Sequence, residues 1–266
     1  MDSRTAQRAS SDAMAAVAAY GVAGIWLSTI YSPGFGLQSA GLAGGTMVIG
    51  SAAASILRRT PRFTTPADRI TLLRAVLVAL CAALAVPVLF TGQPPDPLLV
   101  FLGTAAFLLD AVDGPVARRT GMASAAGARL DTATDAALVL VLSCATAATI
   151  GPWTLCIGSL YYVFGAAAHF CPRLRSHLPT NAVRKAIGAF QPFALLLALA
   201  PGIPSALAAA APALALPLLI FSFGRDVIEL TRRNTVDAAP PPPEGDDGRQ
   251  ALSSGRPMSG FSRRRS

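Results

Sequence analysis

Asp110, Asp113, Asp131 and Asp135 are the only acidic residues between Pro97 and Arg225, and they stand in otherwise apolar sequence as D-x-x-D-G-x-x-A-R-x8-G-x3-D-x3-D. A charged side chain at the centre of a bilayer costs about 3 kcal/mol or more, so carboxylates at such depth face a polar cavity, pair with cations or serve a function. On a helix, residues three and four apart share a face, which sets Asp110 beside Asp113 and Asp131 beside Asp135. Two helices can therefore bring two carboxylate pairs to one point. Gly114, Ala117 and Gly127 lie on the same faces and leave room for a ligand or for close backbone approach. Sulfur-free, carboxylate-rich coordination suits hard divalent cations, magnesium or manganese. Two such ions on shared carboxylates can clamp the oxygens of a diphosphate during phosphoryl transfer, and Arg118 adds a permanent planar cation close by.

Those faces need long apolar helices to carry them. With 53% hydrophobic and 14% charged residues, the chain does not have the make-up of a water-soluble globule. A span needs roughly 20 apolar residues. That ruler predicts eight segments, near 13–31, 37–57, 68–91, 97–117, 127–149, 153–171, 185–200 and 204–226, the seventh being the shortest. Tight loops are expected at Ser32-Pro33-Gly34, Gln93-Pro94-Pro95, Gly151-Pro152 and Pro201-Gly202. The predicted fold is an all-α polytopic membrane bundle. Residues 1–60 form a tail and two extra helices, 61–233 a six-helix core, and 234–266, rich in Pro, Gly, Ser and Arg, a disordered tail. The first apolar block is longer than a signal-peptide core, so it is expected to be retained.

Basic residues fix the expected orientation. The connections near 32–36, 92–96, 150–152 and 201–203 contain no Lys or Arg, whereas Arg58-Arg59, Arg62, Arg118-Arg119, Arg129, the run Arg173 to Lys185 and both termini lie at the other end. The positive-inside rule makes that end cytoplasmic, with both termini and the aspartates there. Topology thus accounts for the net charge of +8 without a nucleic-acid partner. All but one of the 22 basic residues are arginine, the bias of a GC-rich bacterial genome, so the expected location is a bacterial plasma membrane. Cys81, Cys144, Cys156 and Cys171 lack metal-ligand spacing and read as small apolar fillers.

Asp110, Asp113, Gly114, Ala117, Arg118, Gly127, Asp131 and Asp135 reproduce, without gap or substitution, the motif of the CDP-alcohol phosphatidyltransferase family, which this chain resembles over roughly residues 66–230. The resemblance implies transfer of a phosphatidyl group from CDP-diacylglycerol to an alcohol with release of CMP. It implies that Asp110, Asp113 and Asp131 hold two ions, Mg2+ or Mn2+, that Asp135 lies near the second ion and acts as general base, and that Gly114, Ala117, Arg118 and Gly127 line the CDP pocket. It also implies a homodimer in the bilayer.

Upstream, Thr65-Pro66-Ala67-Asp68-Arg69-Ile70-Thr71-Leu72-Leu73-Arg74 is similar to the family's first core helix, so Asp68, Thr71 and Arg74 are candidates to face the nucleotide. The competing reading is a helix cap by Thr65 with arginines reaching to headgroups. The basic run from Arg173 to Lys185 suits a phosphorylated acceptor such as glycerol 3-phosphate or inositol phosphate, and equally suits topology alone. The stretch Arg184 to Gln191 keeps a lysine and a glutamine of the pattern expected for phosphatidylglycerophosphate synthases and loses its second lysine and its threonine. Two other classes compete: an intramembrane metal or ion transporter using the same carboxylates, and a non-catalytic lipid-binding relative, in which Asp135 would have no task.

Overall fold

The computed structural model describes the backbone of residues 3–31, 34–59, 63–120, 124–170 and 182–237, with side chains except those of 3–4, 112–120, 168–170, 182–185 and 226–237. The described chain is all helical. In order run α1 (Ser3–Ile30), α2 (Phe35–Leu57), α3 (Pro66–Thr91), α4 (Pro97–Thr120), α5 (Ala125–Thr149), a short 3-10 turn (Pro152–Thr154), α6 (Leu155–Phe170), α7 (Ala182–Leu199) and α8 (Ser205–Asp237). Each of the eight segments expected from hydropathy is a helix. Helices α1, α2, α3, α5 and α8 are long and apolar enough to cross a membrane, and the described apolar parts of α4 and α7, Pro97–Ala111 and Ala186–Leu199, are shorter. Helix α8 continues to Asp237, so residues 234–237 of the tail expected to be disordered are helical, and the rest of that tail, 238–266, lies outside the described residues.

Chemistry at the helix ends explains where the chain turns. Gly34, Gly92, Gly151 and Gly202 all have positive φ, one in each of the four connections that lack basic residues. A side chain there would clash with its own backbone, so glycine permits reversals short enough to keep neighbouring helices antiparallel. Gly92, at φ 65, closes α3 in the left-handed conformation, with its N–H returned to the Val88 carbonyl.

Helix α3 is the axis of the bundle. Two thirds of its apolar window, 67%, is buried, against 28% for α1 and for α8. One face joins Val78, Cys81, Ala82 and Ala85 to Leu99, Leu142, Leu195 and Leu219 from α4, α5, α7 and α8. The other joins Leu72, Ala75 and Ala79 to Ala9, Ala16 and Tyr20 of α1 and to Ile49, Ala52 and Ile56 of α2. Without water between them, membrane helices associate by close packing of small residues. Gly41 and Gly45 provide it here: a Cβ on Gly41 would collide with the Ala83 carbonyl, and one on Gly45 would meet the Ala79 carbonyl at 2.5 Å. Tyr20 of α1 ties that helix to α2 by donating to the Leu42 carbonyl at 2.7 Å. Outward, Trp26, Phe35, Met47, Phe90, Phe101 and Phe221 are exposed, as expected of surface that meets acyl chains rather than water. Cys81 is the buried filler expected, whereas Cys156 is exposed.

Candidate active site

Local capping sets the start of α3, and with it the height of Arg74. Thr65 accepts the Asp68 N–H at 3.1 Å while the Asp68 carboxylate accepts the Thr65 N–H at 2.8 Å, a reciprocal capping box with Pro66 in the first turn. The cap expected at Thr65 is therefore present, and Asp68 is part of it. Arg59, just beyond α2, grips Asp68 with both guanidinium arms at 2.9 Å, and this pair is sealed, with side chains 4% and 1% exposed. Helix α5 begins in the same neighbourhood. Its cap, Ser124, accepts the Gly127 N–H at 3.0 Å, and a Cβ on Gly127 would stand 3.2 Å from an Asp68 oxygen.

From these two starts the helices rise to a common point. The Arg74 guanidinium, wholly buried on α3, donates to Asp110 of α4 at 2.6 Å and to Asp131 and Asp135 of α5 at 2.7 Å each. It also reaches the Asp131 main-chain carbonyl at 3.3 Å. The three carboxylates are 38%, 38% and 45% exposed, so the cation lies beneath them and they open above it. Asp131 and Asp135 share a face of α5 because they are one turn apart. The distance from Asp110 to that pair is set by α3, against which both α4 and α5 pack.

This constellation meets the chemical demands of a hard divalent cation. Asp110, Asp131 and Asp135 each offer an oxygen, all within 4.8 Å of one another, without sulfur or imidazole. The three carboxylates converge on the Arg74 guanidinium and keep part of their oxygen surface open above it. Asp113, Gly114, Ala117 and Arg118 belong to the helical backbone of α4, and their side chains lie outside the described residues. So does the basic run 173–181, with the side chains of Arg184 and Lys185. Thr71 is buried and donates to the Ala67 carbonyl at 3.1 Å.

Residues 64–221 match the family model described as CDP-alcohol phosphatidyltransferase, a stretch that contains every helix contributing to this carboxylate cluster. The chain belongs to that family. A CDP-alcohol phosphatidyltransferase moves a phosphatidyl group from a CDP-alcohol to an alcohol, which makes this protein a membrane-embedded transferase of phospholipid synthesis. The three grouped aspartates are suited to a metal ion, as is typical of the family. Comparison with curated proteins and with solved structures gives no match. Helices α1 and α2 precede the matched stretch, as expected from the extent of the motif. Reading the sequence did not bring Arg59 to the site, because nothing in a two-arginine loop after α2 marks one of them as buried. Arg74 was expected at the nucleotide. Its described partners are the carboxylates.

Proposed function

We propose that the protein is a divalent-metal-dependent phospholipid synthase that transfers the phosphatidyl group of CDP-diacylglycerol to a small polar alcohol and releases CMP. The observation that carries this reading is the convergence of Asp110, Asp131 and Asp135 from two membrane helices onto one point, half open, with Arg74 beneath them. In the proposed site, Asp110, Asp113 and Asp131 hold two ions, Mg2+ or Mn2+, with Asp135 beside the second. When bound, the ions draw charge from the diphosphate oxygens and so stabilise both the entering and the leaving oxygen.

The chain's own residues do the rest. Gly114, Ala117 and Gly127 leave room for the CDP moiety, and Arg118 neutralises its phosphate charge. Thr71 and Arg74 form the buried wall behind it, Arg74 by holding the carboxylates in register. Asp135 accepts the proton of the acceptor hydroxyl. The acceptor oxygen then forms its bond to the phosphorus that carries the lipid, the phosphoanhydride bond breaks, and CMP leaves with the electron pair.

The basic run 173–185 supports a phosphorylated acceptor, glycerol 3-phosphate or inositol phosphate. The one-sided distribution of arginine supports a cytoplasmic site with both termini inside, in a bacterial plasma membrane, and residues 61–233 are proposed as the catalytic core of a homodimer. The deciding experiment supplies purified protein in detergent with Mn2+, labelled CDP-diacylglycerol and a panel of alcohols, and identifies lipid products by mass spectrometry. CMP release with one acceptor is expected. No release with any alcohol would overturn the reading.

A further inference from the structure

The hairpin α1–α2 lies outside the stretch that matches the family, yet it delivers one side chain to the wall of the site. Arg59 leaves the end of α2 and is fixed from three directions: both arms on Asp68 at 2.9 Å, a bond to the Phe63 carbonyl at 3.3 Å, and the Phe63 ring 5.6 Å from its guanidinium carbon. Asp68 in turn borders the space above Gly127, where a Cβ would stand 3.2 Å from its carboxylate oxygen. Ser124 Oγ stands 3.1 Å from the same point, so Asp68 packs directly on the α5 backbone one helical turn before Asp131. A buried ion pair is a poor source of stability, because desolvating two charges offsets their attraction, and a pair retained under that cost invites a second role.

We propose that Arg59 is a positioning residue that pins and neutralises Asp68 behind Gly127 at the wall of the nucleotide pocket, so that its charge does not repel an anionic diphosphate bound there. This rests on the phosphatidyltransferase reading above. Without the guanidinium fork, the Asp68 carboxylate would be held only by its Thr65 contacts and would present its charge to the entering phosphates. The two N-terminal helices, anchored on α3 through Gly41, Gly45 and Tyr20, then serve to carry Arg59 to that spot. A lysine in its place would keep the charge and lose the two-armed grip.

The test uses the full chain in detergent with saturating Mn2+ and measures CDP binding by calorimetry and the KM for CDP-diacylglycerol. Arg59→Met is expected to weaken CDP binding and raise KM about tenfold, with kcat within about twofold, since Arg74 still holds the catalytic carboxylates. Arg59→Met combined with Asp68→Asn removes the uncompensated charge and is expected to recover CDP affinity to within about threefold of wild type. A purely structural pair would lower the melting temperature in the single variant and leave the CDP affinity of the folded protein unchanged. That result, or a double variant that binds no better than Arg59→Met, overturns the proposal. Should Arg59→Met fail to fold, Arg59→Lys replaces it, with about threefold weaker binding expected and wild-type affinity overturning. A wild-type chain without Mn2+-dependent CDP binding defeats the enzymatic reading and this inference together, whereas wild-type binding with indifferent Arg59 variants defeats this inference alone.

Discussion

Replacing Arg74 by glutamine should destabilise the protein in EDTA far more than in Mn2+. The carboxylates of Asp110, Asp131 and Asp135 approach within 4.8 Å of one another, and all three bond one buried guanidinium at 2.6 to 2.7 Å. At an effective dielectric constant of about 20, each carboxylate pair at that separation repels by roughly 3.5 kcal/mol, and each attraction to the guanidinium contributes about 4 kcal/mol. The two sets nearly cancel, so the cluster stands without metal because Arg74 is beneath it. All three aspartates are more than a third exposed. Water screens the exposed side and reduces the uncompensated repulsion to about 3 kcal/mol. For a chain of this size that corresponds to a fall of about 6 to 12 °C in Tm. Bound Mn2+ supplies the missing positive charge from the open side, so the difference between Arg74→Gln and wild type should shrink to a few degrees in excess Mn2+. The assay is thermal unfolding in detergent, with EDTA and with Mn2+, on both proteins. An equal loss in the two conditions would mean that Arg74 acts by packing alone, and an unchanged Tm in EDTA would refute the electrostatic account.

Asp135→Asn should abolish CMP release while leaving CDP-lipid binding nearly intact, and retained turnover would require a different base. Asp110→Asn and Asp131→Asn should each weaken Mn2+ binding at least tenfold by calorimetry, because each removes one of three grouped oxygens, and an unchanged affinity would remove that residue from the ligand set. Gly45→Val should place its branched side chain against the Tyr20 hydroxyl and the Ala79 carbonyl, prising α2 from α3. Overpacking of this kind costs about 1–3 kcal/mol, so Tm should fall by several degrees, and a wild-type melting curve would show that the seam yields.

Hydropathy and loop chemistry made the eight helices legible, because lipid imposes a length and forbids unsatisfied backbone, leaving few ways to thread such a sequence. The four glycines at positive φ were legible for a related reason: each stands in or beside the Pro-Gly punctuation between apolar blocks. Asp110, Asp131 and Asp135 were legible as a group because helical spacing puts two of them on one face and their isolation in apolar sequence singles out the third. The interior cations were not. Arg74 reads from sequence as a candidate to face the nucleotide, but its burial beneath the carboxylates depends on how α4 and α5 lean on α3, which no local pattern encodes. Arg59 is harder still, since its neighbour Arg58 is exposed and the two are adjacent in the chain.

Those two arginines answer the same problem in opposite ways. Arg59 and Asp68 are matched one to one and both sealed, at 4% and 1% exposure, which leaves no charge over for a ligand. Arg74 is as deeply buried, yet it faces three carboxylates that are 38% to 45% exposed. A matched, closed pair fixes geometry. An open cluster gives the access that the proposed divalent cation requires, while its buried arginine holds the carboxylates together. Helix α3 carries a member of each arrangement, Asp68 and Arg74, about 9 Å apart along its axis at the usual helical rise. Any rotation of that helix would therefore disturb both at once, which is why its packing against α2 on one side and against α4 and α5 on the other determines whether the acidic cluster assembles.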